Sequence, residues 1–494
     1  MTAVVVHQMN KTRPSLATGV ASGLILSFIA SIHGAEIQDG AGNWHFSGIF
    51  TPSALREAYY NQDTDTVRFS DDSRDFAKAG ERLIDVFFAG EARVDSGEFA
   101  LSSGGALSGD VTGSAGLTKA KTVKASTAEG PVRLLLNASA DVMVVSESTP
   151  GDENEFTMLV RRPTDAVTAD LAGNWQVLDF GMPDELTESY YNVLEPIGPQ
   201  NPRQTQSSSE GPQLNENLVD VFFRGGFEIL SVGVTMTSGG TFSGAFSGAS
   251  STTANGTVSL VTGEGTEFFQ MNNSKNVMIR SKAEPSFDDQ RFTALIKKPS
   301  TLSVSELAGP WRFSRLTIPK RLVETVYNST TMTSRQIDSG DNAGNGEELV
   351  DMFFPGLFEV EQGVAGIGSD GRLTAGLNGS VVVNSPGVVT ITVDGEPLIF
   401  YVNDTKDVML HVSESTTEQQ IIAVLRVPLD PMEIALDTDD GKLNLLWVGR
   451  SDVKLQKSST LTGWSDVSDS TGQSAFESST TTAEFYRLVI DGAQ

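Results

Sequence analysis

The sequence predicts an all-β fold: three tandem antiparallel β-barrel or sandwich-like repeat domains, followed by a small C-terminal β-sandwich-like module. Three observations lead there. The 494 residues hold 48 glycines and only 20% charged residues, a balance that suits β-sheets joined by tight turns better than helical bundles. One set of phrases recurs three times in the same order. Within each copy, short apolar runs alternate with Gly, Asn and Ser clusters, the signature of antiparallel hairpins.

Tryptophan opens each copy, in GAGNW at Trp44, LAGNW at Trp175 and LAGPW at Trp311, 131 and 136 residues apart. LREAYYN, LTESYYN and LVETVYN follow (Leu55 to Asn61, Leu186 to Asn192, Leu322 to Asn328), then LIDVFFAG, LVDVFFRG and LVDMFFPG with Asp85, Asp220 and Asp351 in register. Gly-rich segments come next, from Gly104, Gly239 and Asp370, and each copy ends with an Asn-x-Ser/Thr turn at Asn137, Asn272 or Asn403 before a Val-Met strand. The copies fall at 38–166, 169–301 and 305–430, leaving 431–494 as the terminal module. A period near 130 residues is too long for a solenoid, so each copy is expected to have its own core.

In the second copy the strands are predicted near Trp175–Phe180, Val219–Val232, Thr241–Ser247, Thr257–Val261, Phe268–Met271, Val277–Ser281 and Phe292–Lys297. The sole helical candidate is the Leu186–Asn192 phrase. The polar stretches Gln62–Gly80, Val193–Leu214 and Ser329–Gly346 differ between copies and are expected to be solvated loops, where a scaffold varies its contacts. Period-2 alternation across Gly244 and Gly248 reads as a barrel corner where backbones approach closely.

Residues 1–35 have the layout of a secretory signal peptide: Lys11 and Arg13, an apolar stretch from Leu16 to Ile32, then Gly34-Ala35. Cleavage there implies a secreted, extracellular or cell-surface protein with no remaining membrane span, and takes the formal charge from −28 to −30. So acidic a chain repels a phosphate backbone, which argues against nucleic acid as a partner. With no cysteine there is no disulfide framework, zinc–thiolate site or thiol nucleophile.

The terminal region carries VKLQKSSTLTGW, ending at Trp464, and FYRLVI, from Phe485 to Ile490. It resembles the small terminal β-modules of secreted multidomain bacterial proteins, which implies a sandwich-like appendage. The Gly-x-Trp opening of the large copies, followed by a β meander, is similar to the start of lipocalin and other calycin barrels, and implies a barrel.

Candidate residues follow from the repetition. Only His45 and His411 lie beyond the leader, in different copies, so no His-based triad or metal site is shared by all three. Asp85, Asp220 and Asp351 sit in apolar strands, where a carboxylate needs hydrogen bonds or a cation. They read either as internal struts, satisfied by backbone N–H groups or by a base such as Arg161, Lys297 or Arg426, or as acid/base groups or ligand contacts at a barrel mouth. Tyr60, Tyr191 and Tyr327 adjoin the variable segments, where a ring stacks on a sugar or pins the loop. Asp437 and Asp439 have the alternating oxygens of a calcium loop but lack the bidentate Glu that completes one, so a β-turn is the simpler reading and no metal or other cofactor is expected.

Together these features point to a non-enzymatic binding or structural protein whose repeated modules contact polysaccharide or cell-envelope components. Two alternatives stay open: an extracellular carboxylate-dependent polysaccharide hydrolase or lyase, and a calycin-like carrier of small apolar ligands.

Overall fold

The computed structural model describes residues 4–6 and 37–490, apart from 71–75, 119–120, 129, 150–152, 193–201, 208–211, 214–215, 285–288, 342, 345, 375–376, 428–433, 440–441, 448–452, 461–462, 469, 472, 474 and 479–483. The predicted leader lies outside them except for Val4–Val6, which pair antiparallel with Glu484–Ile490. The fold is all-β, with 66% of the described residues in strands and 3% in helices. No helix among the described residues is long and apolar enough to cross a membrane.

Each copy builds an eight-stranded antiparallel meander. In the first, Gly42–Pro52 pairs with Arg93–Leu101 on one side and with the last strand, Glu153–Arg161, on the other, which closes a barrel. The second closes in the same way, through Gly173–Pro183 and Asp289–Lys297. In the third the two ends of the eight-stranded sheet meet at one bridge, Arg372 to Ser380. Full pairing removes exposed edges, so the choice between barrel and sandwich falls to the barrel. The expected glycine corner is present: at Gly248 an added Cβ would lie 1.9 Å from the Val261 carbonyl oxygen, as the neighbouring backbone comes too close for any side chain.

Side chains fill the barrels. Trp44, Phe99, Leu117 and Met143 fill the first, Trp175, Phe242, Phe269 and Met278 the second, and Trp311, Ile391, Phe400 and Met409 the third. Each tryptophan plugs one end and donates Nε1–H to a short turn just upstream, at the carbonyls of Gly40, Leu171 and Leu307 (2.9, 2.7 and 2.8 Å). These turns, Ile37–Gly40, Thr168–Leu171 and Val304–Leu307, are the helical elements of the copies. Leu186–Asn192 is not helical: it is a strand, as its counterparts Ala54–Asn61 and Val323–Asn328 are. Two tyrosines and a threonine in seven residues favour the pleated state over a helix too short to stand alone.

These three strands leave their barrels to form separate three-stranded sheets. Ala54–Asn61 lies between Thr66–Ser70 and Glu81–Ala89, Leu186–Asn192 between Arg203–Gln206 and Glu216–Phe223, and Val323–Asn328 between Thr333–Asp338 and Glu347–Phe353. The stretches expected to be loops thus each hold a strand. The predicted strand Val219–Val232 is likewise two, Glu216–Phe223 in the small sheet and Glu228–Met236 in the barrel.

Beyond the barrel interiors, two cores draw on all three copies. One joins the outer walls of the barrels, with Phe156 edge-on to Phe292 at 5.7 Å and Leu316, Leu410 and Leu425 from the third copy. The other joins the three small sheets through Tyr59, Tyr190 and Val326, each with its Leu and Val or Met neighbours. Between them Phe88, Phe223 and Phe354 stack against one another at 5.9, 6.1 and 6.3 Å. The copies are therefore packed in a ring around one axis. The terminal module has a separate core around Trp447, Leu455 and Tyr486, and meets the third barrel through Leu446, Ala475 and Val427.

Candidate functional site

The repeated aspartates lie where the small sheets meet. Each Asp-Phe-Phe strand carries a β-bulge: its register with the central strand slips between Ala58 and Tyr59, between Ser189 and Tyr190, and between Thr325 and Val326, which leaves Ile84, Val219 and Val350 unpaired. A bulge re-aims the residues beside it. Leu218 and Val221, three apart, consequently both enter the shared core, where strict alternation would have parted them, and Asp220 is turned to the seam with the next copy.

Across each seam the aspartate meets a glutamate from another copy. Glu188 Oε1 accepts the Val86 N–H at 2.8 Å, Glu324 Oε1 that of Val221 at 2.8 Å, and Glu57 Oε1 that of Met352 at 2.6 Å. Each amide belongs to the residue after the aspartate, so second grips first, third grips second and first grips third. Burial, then the Asp85 charge, pushes the Glu188 carboxyl up to about 9. Burial, then the hydrogen bond with Asp220 and its charge, pushes Glu324 up to about 10; burial and the Asp351 charge push Glu57 up to about 8. All three glutamates therefore keep their proton at neutral pH.

Tyrosine completes two of the seams. The Tyr190 hydroxyl lies between Glu188 Oε2 (2.8 Å) and the bulge carbonyl of Ile84 (3.0 Å), its one proton within reach of both, and the Tyr59 hydroxyl lies likewise between Glu57 Oε2 (2.9 Å) and the Val350 carbonyl (3.4 Å). In the third copy Val326 holds this place. A second ring of contacts lies at the Asn turns. Asn137 Nδ2 donates to Asp407, Asn272 Nδ2 to Asp141, and Asn403 Nδ2 to the Asn276 oxygen, in the same cyclic sense. These asparagines are fully buried, so they tie copies together and present no acceptor for a glycan.

The bases proposed as partners of the aspartates go elsewhere. Arg161, Lys297 and Arg426 donate to carbonyls of the short helical turns, and Lys297 and Arg426 lie beside Trp175 and Trp311, at the far ends of the barrel strands. Asp220 instead accepts the N–H of Gly340 from the third copy at 2.9 Å. Tyr60 donates to Asp65, Tyr327 lies against the Met332 sulfur, and Tyr191 stands opposite Asn217 one residue before its strand ends; all three are half-buried rims of the small sheets. Asp437 and Asp439 lie in a hairpin strand opposite Asn444 and Lys442, and residues 440–441 fall outside the described ones. His411 is buried against Phe400 and bonded to Ser413, and burial pulls its imidazole down; burial, then Arg162, pulls His45 down to about 4.

Glu57, Glu188 and Glu324 are what a reading by residue type passes over, although they hold the same place in LREAYYN, LTESYYN and LVETVYN. Recurrence of a carboxyl two positions before a tyrosine, tyrosine and valine was the available signal.

No family model matches the chain, and no curated protein does. Among solved structures it is similar to transferrin binding protein B of Haemophilus parasuis, in a double mutant, at 7% identity over 78% of this chain and 76% of that one, with a TM-score of 0.17. It is also similar to isotype 1 transferrin binding protein B of serogroup B Neisseria meningitidis, at 9% identity over 78% and 77%, with a TM-score of 0.17. A TM-score at that level carries no argument about function.

Proposed function

We propose that this is an exported, non-enzymatic binding protein that engages a cell-envelope polysaccharide through the gathered small sheets. The observation that carries this reading is the placement of the variable segments. Their sheets share one core, so the described residues of the segments that differ most between copies lie on sheets packed around a common centre.

On the first of these sheets Tyr60 stands opposite Val67 and Ala58 opposite Phe69, while Phe69 meets Phe87 edge-on at 6.1 Å. Val67 and Phe69 are exposed, Phe69 at 63%, whereas the place of Phe69 is taken by Gln204 in the second copy and Gln336 in the third, and that of Val67 by Pro202 and Ser334. An aromatic row on a flat sheet suits the apolar faces of sugar rings. The two alternatives fit less well. The repeated carboxyls are enclosed, Glu188 and Glu324 at 0% exposure, beyond reach of a polymer, and packed side chains occupy the barrel interiors that a carrier would need open.

Affinity electrophoresis of the purified chain against a panel of envelope and secreted polysaccharides tests the proposal. Retardation by at least one polymer, abolished by Phe69→Ser with Tyr60→Ser at unchanged melting temperature, is expected. Retardation by none, or retardation indifferent to both substitutions, overturns it.

A further inference from the structure

The carboxyl pairs repeat around the ring, with Glu57, Glu188, Glu324, Asp220 and Asp351 buried and Asp85 half-buried, and they play no part in the proposed binding. Each is made by two copies, so separating any two copies exposes one aspartate and one glutamate to water. While a pair is closed, one member has to keep its proton: two carboxylates cannot both be charged in so dry a place without strong repulsion. We propose that the three pairs are proton-dependent clasps, and that alkaline conditions open the ring at the seam between the second and third copies, uncovering the phenylalanine stack.

The choice of seam follows from the groups that face each glutamate. Glu57 faces Asp351, but also the Tyr59 hydroxyl and the Arg68 guanidinium, both of which favour its charged form. Glu188 faces Asp85 and the Tyr190 hydroxyl, with Arg203 lying 4.8 Å from the Tyr190 ring. Glu324 faces Asp220 and, farther off, Asp341, both negative, and Val326 supplies no hydroxyl. Each of the three accepts one backbone N–H, so that contact does not distinguish them. Glu324 therefore tolerates ionisation least.

The direction with pH is fixed by linkage. A carboxyl whose folded value lies above its unfolded one, near 4.5, binds a proton more tightly in the closed ring. Its contribution to closure is complete below the unfolded value and is lost as pH climbs through the folded value. The loss for the three clasps therefore begins at about 4.5 and accrues until near 8 for Glu57, 9 for Glu188 and 10 for Glu324, so above about pH 8 the Glu324 seam goes on weakening and loses most. Opening parts Phe223 from Phe354, which now lie 6.1 Å apart, and frees the Val221 amide.

The test titrates the full chain from about pH 6 to about pH 10.5 while following fluorescence of an apolar-surface dye and hydrogen exchange in the peptide holding Val221. Glu324→Gln keeps an acceptor for the Val221 N–H and offers Asp220 an amide donor, but cannot ionise. Wild type is expected to gain dye fluorescence and lose protection at Val221 before Val86 or Met352 does. Glu324→Gln is expected to shift that onset upward by about one pH unit, roughly a tenfold smaller opened fraction at a given alkaline pH. Superimposable wild-type and Glu324→Gln titrations overturn the proposal, as does loss of protection at all three seams together. Should the variant misfold, the wild-type infrared spectrum decides: a protonated-carboxyl band present at neutral pH and lost across the same transition supports the clasps, and its absence at neutral pH overturns them.

Discussion

At the scale of single residues, the tyrosines separate structural from exposed roles within one dipeptide. In Tyr59-Tyr60 and Tyr190-Tyr191 the first ring is enclosed and bonded across a seam while the second lies at the sheet rim. Both were visible in the sequence as a repeated pair, but not which would point inward, because that depends on a bulge set by the neighbouring strand. Tyr190→Phe removes one hydroxyl that serves the Glu188 carboxyl, which is shielded from water, and the part-buried Ile84 carbonyl. Leaving a buried polar group unsatisfied costs about 1–3 kcal/mol, so this variant should unfold at measurably lower urea concentration than wild type. Tyr191→Phe, at the half-exposed rim, should fall within about 0.5 kcal/mol of wild type. Equal midpoints for the two variants in a urea titration would contradict the assignment of the inner ring as the tie.

At the scale of elements, the barrels were legible and the small sheets were not. The strand phrases show alternation, turn residues and a recurring glycine, all local signals. The expected loops hide strands such as Arg203–Gln206, four mostly polar residues whose pairing comes from the central strand and not from their own propensity. The barrel corners make a sharper prediction. Gly113, Gly248 and Gly379 each begin a strand so close to its neighbour that a Cβ would lie 2.0, 1.9 or 1.8 Å from the carbonyl oxygen of Ser126, Val261 or Thr392. Gly248→Ala must push that backbone apart, at a cost of about 1–3 kcal/mol or more. Gly263, with nothing within 4 Å of an added Cβ, provides the control. Thermal melts should show Gly248→Ala lowered by several degrees and Gly263→Ala almost unmoved.

At the scale of the whole molecule, the ring explains how a chain without cysteine is held together. Repetition was plain in the sequence, but ring closure was not, because nothing local to Glu188 indicates that its partner amide is Val86 in the preceding copy. Each barrel has its own interior core, yet one wall of each is apolar and covered only by its neighbours. In the second copy that wall includes Leu178, Phe180, Met182, Ile279, Phe292 and Ile296, all enclosed in the three-copy core. An isolated copy would expose them as one contiguous patch larger than soluble monomers normally carry. The three copies should therefore unfold as one cooperative unit. Calorimetry on the full chain should give a single main transition for the ring, with calorimetric and van't Hoff enthalpies in agreement. Residues 169–301 expressed alone should aggregate or bind apolar dye strongly. Three resolved transitions, or a monomeric second copy that melts where the full chain does, would mean that the shared cores contribute little and that the barrels are stable one by one.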